Sequence, residues 1–465
     1  MTSSEGEEYH LDSADVNEEF DFEDDGDNET GYYTESNTES DNDEYSDNDT
    51  QKYSEELEYE DSGEPATFNF NIHSGEPVYS LDFLQGTEFL ATGSGDDRAL
   101  LVDARELQVL ADLGAAGDSI ISVKFYQGKD AKSEDAPVYL ATASMDGRVR
   151  IYCSNPESGI ELKGELEGPG EGVECNWIDW HSRGPILIAG YADGSVWMWN
   201  AALVATGSDP VMAIFAGHVT TPATSGTFSP DGKMIISGSE EGVLLVHNPK
   251  DPGSPLAKIV PQSHQATALN EVTHVAVHPG NQIFLAGDSD GHLRVYKTAG
   301  INQSMPLSDL SSLHSASIEA IGFHPLGSLA VSASMDGHAV IWDCHATFGP
   351  RHNIQSSILF DDSSIDIDAD APAANNLHND SSIDGFTLAK WLSAMPNGPA
   401  LPPALSFGLL LGTAQGRLAI VEGRSGLRLR RLRGRPGRPV LDAAVSVNGI
   451  LAVAFDDGII SLYQL

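Results

Sequence analysis

Apolar and polar positions along most of this chain fall into a phrase that recurs. An apolar run, two or three small residues, an acidic residue, usually Gly, and a second apolar run appear eight times, at 89–102, 138–152, 186–199, 234–247, 283–296, 329–342, 407–421 and 449–463. The acidic position or its substitute is Asp96, Asp146, Asp193, Glu241, Asp290, Asp336, Gln415 and Asp457, at intervals of 50, 47, 48, 49, 46, 79 and 42 residues. Self-similarity at such a period marks a repeat architecture. In the second copy, two β-favouring runs flank Asp146-Gly147, a pair suited to a tight turn with positive φ. Each phrase therefore predicts a hairpin. A further apolar segment precedes each hairpin (120–125 and 318–323, for example), and room remains for one more strand before the next. Four strands per repeat, eight times over, predict an all-β, eight-bladed propeller. Each blade would bury its faces only against its neighbours.

Trp199, Trp342-Asp343, Gly217-His218 and the Ala-Ser-Met-Asp-Gly strings make the chain resemble WD40-repeat proteins. Val102, Tyr152, Tyr296 and Tyr463 stand where that pattern has Trp. The resemblance implies a structural role for the turn acids Asp146, Asp193, Asp290, Asp336 and Asp457, each hydrogen-bonded inside its blade. The long interval contains Asp361-Asp-Ser-Ser-Ile-Asp-Ile-Asp-Ala-Asp370, and an acidic, disordered excursion is expected at about 360–382. Its Asp366–Asp370 stretch lacks the Gly (Ala371) and Glu (Leu377) of a calcium loop, so no metal site is expected there.

Charge adds a second layer. The whole chain carries a formal charge of −45. Residues 1–66 hold 26 acids and one base, Lys52, and are expected to be a disordered acidic tail ahead of a propeller at 67–465. Residues 417–465 reverse the sign, with eight arginines against four acids. Such a balance disfavours nucleic acid, whose binding draws on cation contacts with phosphate, and disfavours anionic membrane surfaces. It favours basic partners. Cys153, Cys175 and Cys344 show no metal-like spacing and no disulfide framework. With no signal-peptide pattern and no bilayer-length apolar run, the expectation is a soluble monomer in the cytoplasm or the nucleus.

In WD40 geometry, two positions per repeat reach the top face: the start of the innermost strand and the residue before the turn acid. The first gives Glu76, Asp118, Glu171 or Glu174, Thr221, Glu271, Ser317 with Glu319, Asp384 and Arg438. The second gives Gly95, Met145, Ala192, Glu240, Ser289, Met335, Ala414 and Asp456. The candidate client-binding residues are the acids Glu76, Asp118, Glu174, Glu240, Glu271, Glu319, Asp384 and Asp456, with Met145, Met335 and Tyr191 as apolar company. Converging carboxylates in a concave mouth reinforce one another's field and suit Arg side chains.

The double-Trp stretch Glu174-Cys-Asn-Trp-Ile-Asp-Trp180 with the Trp197-Met-Trp199 triplet resembles the third blade of the angio-associated migratory cell protein family, as does Pro222–Lys233. That resemblance implies a dedicated chaperone that holds the Arg/Lys-rich N-terminal segment of a large-subunit ribosomal protein on the acidic face. A general WD40 scaffold and a histone-type chaperone are the competing binding functions. No nucleophile elbow, phosphate loop or metal-spaced His pair supports catalysis, and no cofactor is expected. The Arg424–Arg438 run has two readings: a charged outermost strand of blade seven at 427–433, which deters edge-to-edge pairing, or a docking site for the acidic tail or for RNA.

Overall fold

A computed structural model describes residues 63–465, except 128–136, 156–158, 205, 219–220, 261–269, 301–305, 346–347, 362–382 and 393–404. The acidic tail through residue 62 and nearly all of the 360–382 insertion lie outside the described residues.

Eight antiparallel four-stranded sheets follow one another along the chain. Blades one to seven span 78–115, 120–166, 175–216, 223–259, 272–309, 318–355 and 386–432. Blade eight takes three strands from 440–464 and borrows its outermost strand, Phe68–Asn71, from the start of the propeller. Phe68 pairs opposite Leu462 and Asn71 opposite Ile459, so the two ends of the ring are stitched together. Neighbouring innermost strands pack in sequence, and that of blade eight packs on that of blade one, which closes the ring. Only two one-turn helices, Ala201–Val204 and Ser356–Leu359, interrupt the β structure among the described residues.

The phrase in the sequence has a packing cause. Second strands such as Leu329–Ser334 and Gly408–Thr413 are buried at every residue, because neighbouring blades cover both faces of the sheet. Strands covered on both faces read as unbroken apolar and small runs rather than as alternation. Small residues there admit large neighbours. A Cβ on Gly190 or Gly226 would come within 2.2 Å of the Trp177 ring. The hairpin turns end on glycine at positive φ in seven blades, and Asp97 takes that conformation in blade one. Gly194 is also sterically required, since a Cβ would stand 1.8 Å from the His218 carbonyl oxygen.

Residues 63–66, grouped with the tail in the sequence, run beside blade seven instead. The Glu64 amide donates to the Arg431 carbonyl at 2.9 Å, and the Arg433 amide donates to that of Glu64 at 2.7 Å. Backbone pairing along an exposed edge overrides the local acidic composition.

Candidate functional site: the mouth of the ring

Backbone hydrogen bonds bring the two top-face positions of a repeat together. The amides of Met145, Ala192, Glu240, Ser289 and Met335 donate to the carbonyls of Ser119, Glu174, Pro222, Glu271 and Ser317, at 2.9–3.2 Å. Residues 18 apart in sequence, or 26 apart in blade two, thus form one rim.

Every innermost strand also carries a β-bulge at its second residue. A bulge re-aims the extra side chain. These residues are Tyr79, Ile121, Asn176, Thr224, Thr273, Glu319, Thr387 and Leu441. The Thr hydroxyls bond sideways to the next blade: Thr224 to Val272 O at 2.6 Å, Thr273 to Ile318 O at 2.5 Å and Thr387 to Val440 O at 2.7 Å. Asn176 donates to Ala223 O in the same way at 3.0 Å. At blade six the position holds Glu319, an exposed carboxylate with no donor for such a bond.

The predicted acids divide into two groups. Glu76, Asp118, Glu174, Glu240 and Glu319 are exposed, Glu271 is half-buried, and none forms an ion pair among the described residues. Burial, then repulsion from Glu240 and Glu319, raises the Glu271 carboxyl above the usual range, so these three act as one electrostatic cluster across blades four to six. Asp384 and Asp456 behave differently. Asp384 is only 8% exposed, accepts from the Gln415 amide at 3.1 Å and lies 3.7 Å from Arg417. It supports the one turn whose own acid is missing, so it is a structural carboxylate rather than an open one. Burial raises the Asp456 carboxyl, while Arg438 and Arg435 pull it down. Met145 and Met335 stand 38% exposed on the rim. Tyr191 does not join them: it is fully buried against Trp199 and beside Gly168.

Most turn acids do brace their blades. Asp146 accepts from the amides of Arg148 at 2.9 Å and Gly117 at 3.0 Å, and Asp336 accepts from His338 and Ser315, each at 2.8 Å. Asp290 does not. Asp288, two residues earlier and 1% exposed, accepts from the Asp290 and His292 amides and pairs with Arg294 at 2.8 Å. Asp290 is left exposed on the face, as is Glu241. The extra acid at 288 and the longer side chain at 241 were the available signals in the sequence. Both residues extend the unpaired acidic arc.

Deeper along the innermost strands the charges are matched. Lys124 pairs with Asp179 and Lys390 with Asp442, each at 3.2 Å. Asp82 accepts from the Phe125 amide at 2.8 Å, and desolvation raises its carboxyl to about 6.

The Arg424–Arg438 run does supply the outermost strand of blade seven, Arg428–Leu432. Most of its guanidinium groups have partners within the ring. Arg424 stacks 3.6 Å over Phe407, Arg430 binds Glu64 and the Gln464 carbonyl, Arg431 donates to Phe360 O, and Arg435 pairs with Asp457 at 2.6 Å. Among the described residues no group of His, Cys, Asp or Glu is placed to hold a metal ion, and no helix is long and apolar enough to cross a membrane. The three cysteines are free.

The family model of the WD domain, G-beta repeat, matches residues 65–103, 160–200, 208–248, 258–297 and 307–343. It passes over the hairpins of blades two, seven and eight, yet hydrogen bonding shows those blades to be complete. The human angio-associated migratory cell protein is 29% identical over 299 residues, 62% of each chain, so this chain spans under two thirds of that relative. The pre-mRNA-processing factor 19 homolog 2 of Arabidopsis thaliana is 25% identical over 55% of this chain and 44% of its own. Among solved structures, Sqt1 of Chaetomium thermophilum, bound to the N-terminus of the ribosomal protein L10, superposes with a TM-score of 0.68 at 19% identity, over 86% of this chain and 99% of that one. Saccharomyces cerevisiae Sqt1 gives 0.66 at 19% identity, over 87% and 99%. The chain thus carries WD40 repeats within eight closed blades and is similar in sequence to the angio-associated migratory cell protein.

Proposed function

We propose that the mouth of the propeller captures a basic, extended segment of a ribosomal protein and shields it until assembly, without catalysis and as a monomer. One observation carries this reading: Glu240, Glu271 and Glu319 stand together on the rim without an ion pair among the described residues, and burial, with their repulsion added, raises the Glu271 carboxyl. A cationic side chain entering there would be attracted before contact and would relieve that repulsion on arrival. Two facts support the class of client. Sqt1, a propeller of the same fold, has been solved with the N-terminus of a ribosomal protein, and the whole chain has a formal charge of −45. Met145 and Met335 offer flexible apolar surface on the same rim for the aliphatic stems of Arg or Lys. Handover to the assembling particle would release the client, since no step needs a nucleotide.

The test is affinity capture of the full chain from cells in active translation, with a parallel chain lacking residues 1–66. One predominant basic ribosomal protein, retained by both forms, is the expected result. Capture of histones, or loss of the client on removing the tail, would contradict the proposal.

A further inference from the structure

If the mouth holds a basic segment, as proposed, its electrical polarity gives that segment a direction. Ring order places blade eight across the opening from blade four. The side at blades four to six carries Glu240, Glu241, Glu271, Asp290 and Glu319, all without ion pairs among the described residues. The side at blades seven and eight carries three arginines. Arg417 lies beside Asp384 and Arg435 is engaged by Asp457. Arg438 differs from both. It lies two residues ahead of the innermost strand of blade eight, the register held by Asn270 in blade five and by Glu76 in blade one, and it is exposed. Its charge is felt by Asp456, yet Asp456 Oδ1 is buried without a hydrogen-bond partner. No hydrogen bond or ion pair joins Arg438 to Asp456 among the described residues, so its exposed guanidinium lies near a carboxylate without being bonded to it.

A segment laid across such a mouth meets opposite potentials at its two ends. We propose that Arg438 sets the direction in which the segment lies: the cation-rich end sits over Glu240, Glu271 and Glu319, and the other end presents a neutral or acidic group to Arg438. A segment entered the other way brings like charges together on both sides, which discriminates against that orientation. The ligand class is thus narrower than a polycation. It is an extended peptide with its basic residues gathered toward one end.

Three labelled peptides of identical composition test this on the full chain: arginines first and aspartates last, the reverse order, and an even mixture. Fluorescence anisotropy gives each Kd for the unaltered protein, for Arg438→Gln and for Arg438→Glu. The unaltered protein is expected to prefer one polar order over the other two. Arg438→Glu should weaken that peptide about three- to tenfold and erase the preference, with Arg438→Gln in between. Equal binding of all three peptides by the unaltered protein, or a uniform change across all three on Arg438→Glu, would overturn the inference while leaving the basic-segment site intact. If no peptide binds, the site reading itself fails and the inference falls with it.

Discussion

Blades four to six and blades seven to eight present the same two loop positions to the same opening, yet they treat charge in opposite ways. On the first side acids accumulate without ion pairs among the described residues, and burial together with the charges of Glu240 and Glu319 raises the Glu271 carboxyl. On the second, each carboxylate is drawn into the scaffold: Asp384 holds the Gln415 turn, Asp457 holds Arg435, and Asp456 stands beside Arg438. An acid count around the ring is therefore a poor guide to its binding surface. What matters is which carboxylates the fold has already used.

The largest effect expected from breaking this contrast is on affinity. Reversing Glu240, Glu271 and Glu319 together to Lys should weaken an Arg-rich peptide roughly a hundredfold, with little change in Tm because all three side chains reach water; isothermal titration and calorimetric melting measure the two. Asp384→Ala should do the converse. It removes a buried acceptor beneath the Gln415 turn and strands Arg417, costing about 1–3 kcal/mol in urea unfolding, while peptide affinity changes by less than about twofold. A comparable affinity loss in the two variants would mean that the sides are equivalent.

Acid should separate the two properties as well. The raised Glu271 carboxyl takes a proton at higher pH than an ordinary Glu, so peptide affinity should begin to fall early on acidification. Glu240→Gln with Glu319→Gln should move that loss to lower pH by removing repulsion. Ring stability responds through other groups. Burial holds His218, His247 and His274 near 4 against an ordinary 6.5. In that window the unfolded chain binds more protons, so their contribution is complete above 6.5 and is lost as pH falls toward 4. Melting at stepped pH should show this decline in both the unaltered protein and the double variant. The smallest effects belong to Glu241→Gln and Asp290→Asn, each expected to cost affinity about twofold. Asp288→Asn, by contrast, should lower stability, because Asp288 braces the blade-five turn and pairs with Arg294.

Eight blades were legible in the sequence because the turn recurs and because second strands buried on both faces leave unbroken apolar runs. The head of each innermost strand was legible for the same reason. The division of labour among acids was not. Asp290 occupies the position that braces other blades, but Asp288 fills that role, and only the folded turn shows which one is bonded. Asp384 looks like any rim acid until Gln415, 31 residues on, is seen to need it. The ring closure by Phe68–Asn71 and the pairing of Glu64 with blade seven were also hidden, since both join residues almost a full chain apart. Tyr191 read as a rim aromatic because nothing local signals that Gly168 opens a space for it.

The central claim is that unpaired carboxylates at blades four to six capture a basic segment. The direct measurement is the salt dependence of affinity for one Arg-rich peptide, compared between the unaltered protein and the Glu240→Gln, Glu271→Gln, Glu319→Gln triple variant. Steep weakening with salt in the unaltered protein, and a flatter line from a lower starting affinity in the triple variant, is the predicted result. Two parallel lines of equal height would place the binding elsewhere and contradict the account.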